Sequence, residues 1–221
     1  SIRRQRQMCI RDRDEVVDHL AVLSAAVDIP VNADFEGGFA DQPDGVGANV
    51  ARAVAAGVAG LSIEDSTGDK ADPIYERGLA VERIKAARQA IDAAGGDVLL
   101  TGRCEAYLWG KPDLAFVIDR LTAYAEAGAD CLYAPGIKTK EEIAAVVKAV
   151  APRPVNLLIG ASGLSLPQAA ELGVRRISVG GSLARMAWAG FMRAAKEMAE
   201  QGTFTELTGG YPGGELNKMF G

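Results

Sequence analysis

From residue 14 onward the chain alternates between two spacings of apolar residues. Short apolar runs at 29–35, 58–65, 97–105, 130–136, 153–160 and 174–181 predict strands. Alanine-rich stretches at 14–27, 46–57, 77–94, 112–128, 138–150, 166–172 and about 182–200 carry apolar residues at helical intervals and predict helices. The junctions "AAGVAG", "EAGAD" and "ELGV" place glycine where a helix ends before the next strand, because glycine accepts the left-handed cap conformation at little cost. Most runs are continuously apolar rather than strictly alternating, as strands covered on both faces by crossover helices should be.

An open doubly wound sheet and a closed barrel share this pattern, and the polar residues separate them. Asp34 and Glu36, Glu64 and Asp65, Arg103 and Glu105, Tyr133, Asn156, and Gly180 with Gly181 all fall at the C-terminal ends of predicted strands. A barrel gathers those ends around one mouth, where barrel active sites are built. No GxGxxG turn follows the first strand, as a dinucleotide-binding sheet would require. The expected fold is therefore α/β, of the (β/α)8 TIM-barrel type. Six strands are found where a full barrel has eight, and the first helix at 14–27 places the missing pair upstream, leaving two edges open to association.

Composition divides the chain further. Residues 1–13, "SIRRQRQMCIRDR", carry five arginines without apolar periodicity and are expected to be a non-native or disordered basic segment. Residues 14–200 are expected to form the incomplete barrel, and 201–221 a glycine-rich tail. A net charge of -5 opposes general attraction to nucleic acid. No apolar run approaches the ~20 residues that cross a bilayer, so a soluble cytoplasmic protein without membrane partners is expected. Cys9, Cys104 and Cys131 are widely spaced, without zinc-site or disulfide patterning.

Candidate chemistry centres on "VNADFEGGFAD", residues 31–41. Asp34 and Glu36, two positions apart, share a face if the strand stays regular, and Glu64 would come from the neighbouring strand. Three carboxylates at one mouth repel one another, and a hard divalent cation, Mg²⁺ or Mn²⁺, relieves that repulsion. Capping of a following turn is the alternative for Glu36 or Asp65 singly. Arg103 supplies a fixed positive charge for an anionic substrate, or an ion-pair partner for Glu105 or Glu64. Cys104 should face away from Arg103 and pack under a helix. His19, on the first helix, lacks a Ser or Cys partner motif, and Lys70 reads as a solvated side chain.

The segments "PVNADFEGGFAD", "AGVAGLSIEDS", "GRCEAYLWGKPDL" and "RLTAYAEAGADCLYAPG" together resemble the isocitrate lyase/phosphoenolpyruvate mutase superfamily from Asp14 to about Ala199. The resemblance implies that Asp34, Glu36 and Glu64 hold Mg²⁺ directly or through water, with Glu36 standing where aspartate is usual. It implies that Arg103 binds the substrate carboxylate and developing enolate, with Glu105 as its companion, and that Asn156 faces the substrate. Gly37 and Gly38 join Arg103 and Asn156 as candidate substrate contacts. The activity implied is a Mg²⁺-dependent carbon–carbon lyase of small 2-oxo or 2-hydroxy acids, acting through a pyruvate-type enolate. Oxaloacetate decarboxylase and phosphonopyruvate hydrolase or mutase chemistry are the enzyme alternatives. A non-catalytic fragment retaining metal or oxo-acid binding is the alternative of another class. The loop "DSTGDKADPIYERG" lacks the cysteine and histidine of isocitrate and methylisocitrate lyases, which argues against those two reactions. A C-terminal helix commonly swaps between subunits in this superfamily, implying a dimer or tetramer.

Overall fold

The computed structural model describes residues 2–220, with side chains described for 12–160 and 162–220. Six parallel strands, β1 (Asn32–Asp34), β2 (Gly60–Glu64), β3 (Leu99–Arg103), β4 (Cys131–Tyr133), β5 (Val155–Leu158) and β6 (Arg176–Ser178), pair strictly in sequence order. Helices α1 (Ile2–Ala26), α2 (Pro43–Ala55), α3 (Arg77–Ala94), α4 (Leu114–Glu126), α5 (Lys140–Val150) and α6 (Leu166–Glu171) alternate with them. This is a curled parallel half-barrel, six strands of the (β/α) barrel plan, as the alternating periods imply. The first helix begins at Ile2 rather than at residue 14. The expectation of a distinct basic segment at 1–13 falls mostly on side chains outside the described residues.

The chain separates into two compact units, 1–178 and 179–221. In the first, Phe35 just after β1 and Leu61, Ile63, Leu100, Leu132 and Leu157 from the strands share one core with Val50 of α2, Ile84 and Ile91 of α3, Leu121 of α4 and Ile143 of α5. Local signals fix the helix starts. Asp113 accepts hydrogen bonds from the backbone N–H groups of Ala115 and Phe116, and Thr139 with Glu142 and Ser165 with Gln168 form capping boxes. At the N-terminal ends of the strands, Asp130 accepts from the Leu100 N–H at 2.8 Å and pairs with Arg88 at 2.9 Å, tying β3 to the following crossover.

The second unit holds α7 (Ser182–Gln201), a short 3-10 turn at Thr205–Gly209 and α8 (Gly213–Phe220). Helix α7 ends at Gly202 in the left-handed conformation. From within the last two turns of α7, Glu197 accepts hydrogen bonds from the segment just beyond it: the Thr203 hydroxyl at 2.6 Å, the Thr205 N–H at 2.9 Å, the Glu206 N–H at 2.8 Å and the Thr205 hydroxyl. These bonds hold the Glu197 carboxyl down at about 2. Among the described residues no helix is long and apolar enough to cross a membrane.

Candidate active site

Parallel register carries polar side chains, at levels staggered by two residues, across the C-terminal ends of the strands. Asp34 is level with Ser62, Glu64 with Arg103, Arg103 with Tyr133, Tyr133 with Asn156, and Leu158 with Ser178. Registered neighbours in a pleated sheet point to the same face, so residues distant in sequence become adjacent there.

Arg103 is the hub. Its guanidinium reaches Asp34 at 2.6 Å, Glu105 at 2.9 Å and Glu64 at 3.2 Å, and lies 5.2 Å from the centre of the Tyr133 ring. Burial disfavours its charge, but Glu105, Glu64 and Asp34 outweigh that and raise its pKa above the ordinary arginine value. Glu64 responds the opposite way. Burial, reinforced by Glu105, Asp34 and Glu36 and only partly countered by Arg103, lifts it to about 7. Glu105 is also raised, mainly by burial, although Arg103 pulls it down. Of the two readings of Arg103, ion-pair partner and anion ligand, the first is what this geometry shows: it is ion-paired with Asp34, Glu64 and Glu105 at the strand ends.

Asp34 and Glu36 do not share a regular strand. Strand β1 ends at Asp34, and Glu36 takes a left-handed backbone conformation with φ of 48°. The exposure pattern nonetheless alternates, with Ala33 and Phe35 buried and Asp34 and Glu36 exposed. The Glu36 carbonyl accepts the Glu64 N–H at 3.0 Å, which ties the turn to β2. Among the described residues, no three acidic, histidine or cysteine side chains are drawn together closely enough to enclose a metal ion by themselves. The donor set still suits one kind of cation. Asp34, Glu36 and Glu64 offer only hard oxygens, and Glu64 feels three other carboxylates, Glu105, Asp34 and Glu36, against the one guanidinium of Arg103. A hard divalent ion that keeps several of its waters fits this better than one needing a closed protein cage.

Packing accounts for the two glycines of the turn. A side chain on Gly38, whose φ is 75°, would meet Val46 at 3.0 Å and Ile63 at 3.2 Å, and one on Gly37 would meet the Arg83 guanidinium at 3.0 Å. Asn156 is fully buried; its amide donates to the Ser178 hydroxyl at 2.9 Å while its side-chain oxygen has no described partner. Cys104 is buried, and burial pushes its thiol far above the ordinary range. His19 and Lys70 are exposed.

Beneath the row lies a buried network. Asp65 accepts from the Glu105 N–H at 2.8 Å with one oxygen, and from the Tyr124 hydroxyl at 2.7 Å and Arg120 at 3.2 Å with the other. Arg120 also donates to the Tyr75 carbonyl at 2.7 Å. Asp65 thus holds the segment that carries Arg103 and Glu105. Arg120, Tyr124, Ser62 and Ser178 are not singled out by motif reading. The available signal is a charge on a helix's apolar stripe, Arg120 standing between Val117 and Leu121. The loop after β2 closes on itself through a Ser66–Ile74 bridge, and the Trp109 indole donates to Ser66 at 3.1 Å.

The model of the family described as Phosphoenolpyruvate phosphomutase matches residues 8–199. An oxaloacetate decarboxylase of Rhodopseudomonas palustris (strain BisB5) is 29% identical over 175 residues, covering 75% of this chain and 56% of that protein. The crystal structure of a candidate lyase/mutase from Burkholderia cenocepacia J2315 superposes with a TM-score of 0.91 at 51% identity, covering 94% of this chain and 75% of that one. Oxaloacetate acetylhydrolase in complex with its product oxalate superposes with a TM-score of 0.76 at 27% identity, covering 91% of this chain and 70% of that one. The chain spans a little over half the length of the full-length relatives it matches.

Proposed function

Because the chain belongs to the phosphoenolpyruvate phosphomutase family, we propose that its strand-end row is a divalent-cation-assisted site for carbon–carbon cleavage of small 2-oxo acids. The observation that carries this reading is Arg103 amid Asp34, Glu64 and Glu105: one fixed cation within a surplus of carboxylate oxygens. Asp34, Glu36 and Glu64 would hold Mg²⁺ or Mn²⁺. Bound there, the ion supplies Lewis-acidic charge to the carboxylate and oxo oxygens of the substrate. Arg103 contributes a positive charge already in place as negative charge develops on the oxo oxygen, with no reorganisation at the moment of reaction. Glu105 orients Arg103, and Asp65 holds the Glu105 backbone in turn. Asn156, with one amide oxygen unspent, is the proposed ligand for a hydroxyl or protonated group of the substrate.

Oxaloacetate is the substrate to test first, because named relatives act on it. Decarboxylation would break the bond between C3 and the departing carboxylate and leave the enolate of pyruvate, which then takes up a proton. The loop after β2 has neither cysteine nor histidine between Ser66 and Tyr75, which disfavours the protonation chemistry of the methylisocitrate lyases. Pyruvate release from oxaloacetate, dependent on Mg²⁺ and lost in Arg103→Met, supports the proposal. Absence of turnover on oxaloacetate and other four-carbon 2-oxo and 2-hydroxy acids by folded protein sinks it.

A second copy of the chain is the proposed partner. The second unit exposes Trp188, Phe191, Met192, Phe204 and Tyr211, and Ala184, Ala187, Trp188 and Phe191 line an apolar hollow of about 360 Å³. A surface this apolar on so small a unit is typical of an interface. Light scattering across a concentration series should give a multiple of the 23.1 kDa chain mass, and Trp188→Asp should reduce it. A monomer at every concentration overturns this part.

A further inference from the structure

Arg83 is almost wholly buried on α3, on the same stripe as Ala80, Ile84, Ala87 and Ile91. Burying an arginine is costly, and burial lowers its pKa. Its guanidinium is spent on main-chain oxygens. One terminal nitrogen donates to the carbonyls of Ala40 at 2.5 Å and Asp41 at 2.8 Å, and the other donates to Gly37 at 2.5 Å. The flat face of the group lies 4.1 Å from the centre of the Tyr75 ring, whose hydroxyl donates to the Asp41 carboxylate at 2.7 Å. One side chain therefore grips both ends of the turn at 37–41, and a fork of several N–H groups is needed to do so.

That turn needs gripping. Glu36 and Phe39 both adopt left-handed backbone conformations, with φ of 48° and 54°, which residues other than glycine or asparagine rarely accept. Each such residue is strained and persists only where its surroundings over-determine it. Glycine at position 36 would remove the strain, so a glutamate there gains its place through its side chain. The conformation turns the Glu36 carbonyl onto the Glu64 N–H and leaves the Glu36 carboxylate on the exposed side with Asp34.

We propose that Arg83 is a positioning residue for Glu36: by holding the Gly37, Ala40 and Asp41 carbonyls it enforces the left-handed backbone that delivers the Glu36 carboxylate to the mouth. Its consequence for cation affinity rests on the site reading above, whereas its consequence for the backbone does not. Lysine at position 83 keeps the charge but loses the fork, so Arg83→Lys tests geometry rather than charge.

The experiment has two arms on the full chain. In the first, Mn²⁺ is titrated calorimetrically into wild type, Arg83→Lys, Glu36→Gln, the double variant, and Val117→Ala as a destabilised control on α4. Arg83→Lys should weaken Mn²⁺ by about tenfold or more, the scale of losing a residue that orients a ligand. It should add nothing in the Glu36→Gln background, and Val117→Ala should leave affinity unchanged. In the second arm, hydrogen exchange of the Glu64 amide is followed in metal-free protein. That amide should exchange faster in Arg83→Lys but not in Val117→Ala. Additive losses in the double variant, or Glu64 protection equal in Arg83→Lys and Val117→Ala, overturn the proposal. Wild type that binds no Mn²⁺ removes the cation reading, and the exchange arm then decides the role of Arg83 alone.

Discussion

Arg103 on β3 reaches across β2 to Asp34 on β1, its Nη1 donating to Asp34 Oδ1 at 2.6 Å. The pair spans the first three strands, and Glu64, on the strand between them, contacts the same guanidinium. One cation thus holds together acids that would otherwise repel, and any ligand entering the mouth meets both signs of charge.

Replacing Arg103 separates the two roles proposed for the row. Arg103→Met removes the proposed anion ligand and the only described ion-pair partner of Asp34, so oxalate affinity in the presence of Mn²⁺ should fall roughly tenfold to a hundredfold, the value of a charge-assisted hydrogen bond of about 1.5–3 kcal/mol. Affinity for Mn²⁺ itself should hold or rise, because an opposing positive charge has gone. Calorimetric titration of each ligand checks this, and parallel loss of both would show that Arg103 only props up the acids.

Asp65→Asn should be severe for stability. It leaves Arg120 buried without its carboxylate, a change that typically costs about 3–5 kcal/mol. Tyr124→Phe removes one hydrogen bond to the same carboxylate and should cost only about 1 kcal/mol. Urea unfolding of both variants measures the difference; equal small effects would mean that the network is not a unit.

Gly38→Ala forces a side chain onto left-handed backbone and against Val46 and Ile63. A loss of about 1–2 kcal/mol from the backbone is expected, before any cost of overpacking. Thermal unfolding at fixed pH reads it, and an unchanged midpoint would show that the turn can relax.

Glu197 predicts a pH-dependent cap in the second unit. Its folded pKa lies near 2, below the ordinary glutamate value of 4.5, so the charged form is the one the fold favours. The stabilisation is therefore complete above about 4.5 and is lost as pH falls towards 2. Protection of the Thr205 and Glu206 amides from hydrogen exchange should decline across that interval, and in Glu197→Gln should be low at every pH.

The sheet was legible because its strands are short, apolar and separated by helices of clear period, and the strand-end polar residues predicted the mouth. Asp34, Glu64, Arg103 and Glu105 come together through parallel register, which converts a recurring position in sequence into adjacency in space. Glu36 was legible as an acid at the mouth but not as a left-handed residue, because that conformation depends on a grip from Arg83, 47 residues further along the chain. Arg83 and Arg120 stayed hidden for a related reason. An arginine on a helix reads as solvated until its stripe is seen to be otherwise apolar, and its partners, carbonyls of one loop and a carboxylate of another strand, leave no mark in local spacing.

The most direct test of the account is calorimetric titration of oxalate, in the presence and absence of Mg²⁺ or Mn²⁺, into wild type and Asp34→Ala. Oxalate should bind wild type only with the cation present, and that binding should disappear in Asp34→Ala while the variant remains folded. Oxalate binding that is indifferent to the cation, or that survives in Asp34→Ala, would contradict the account.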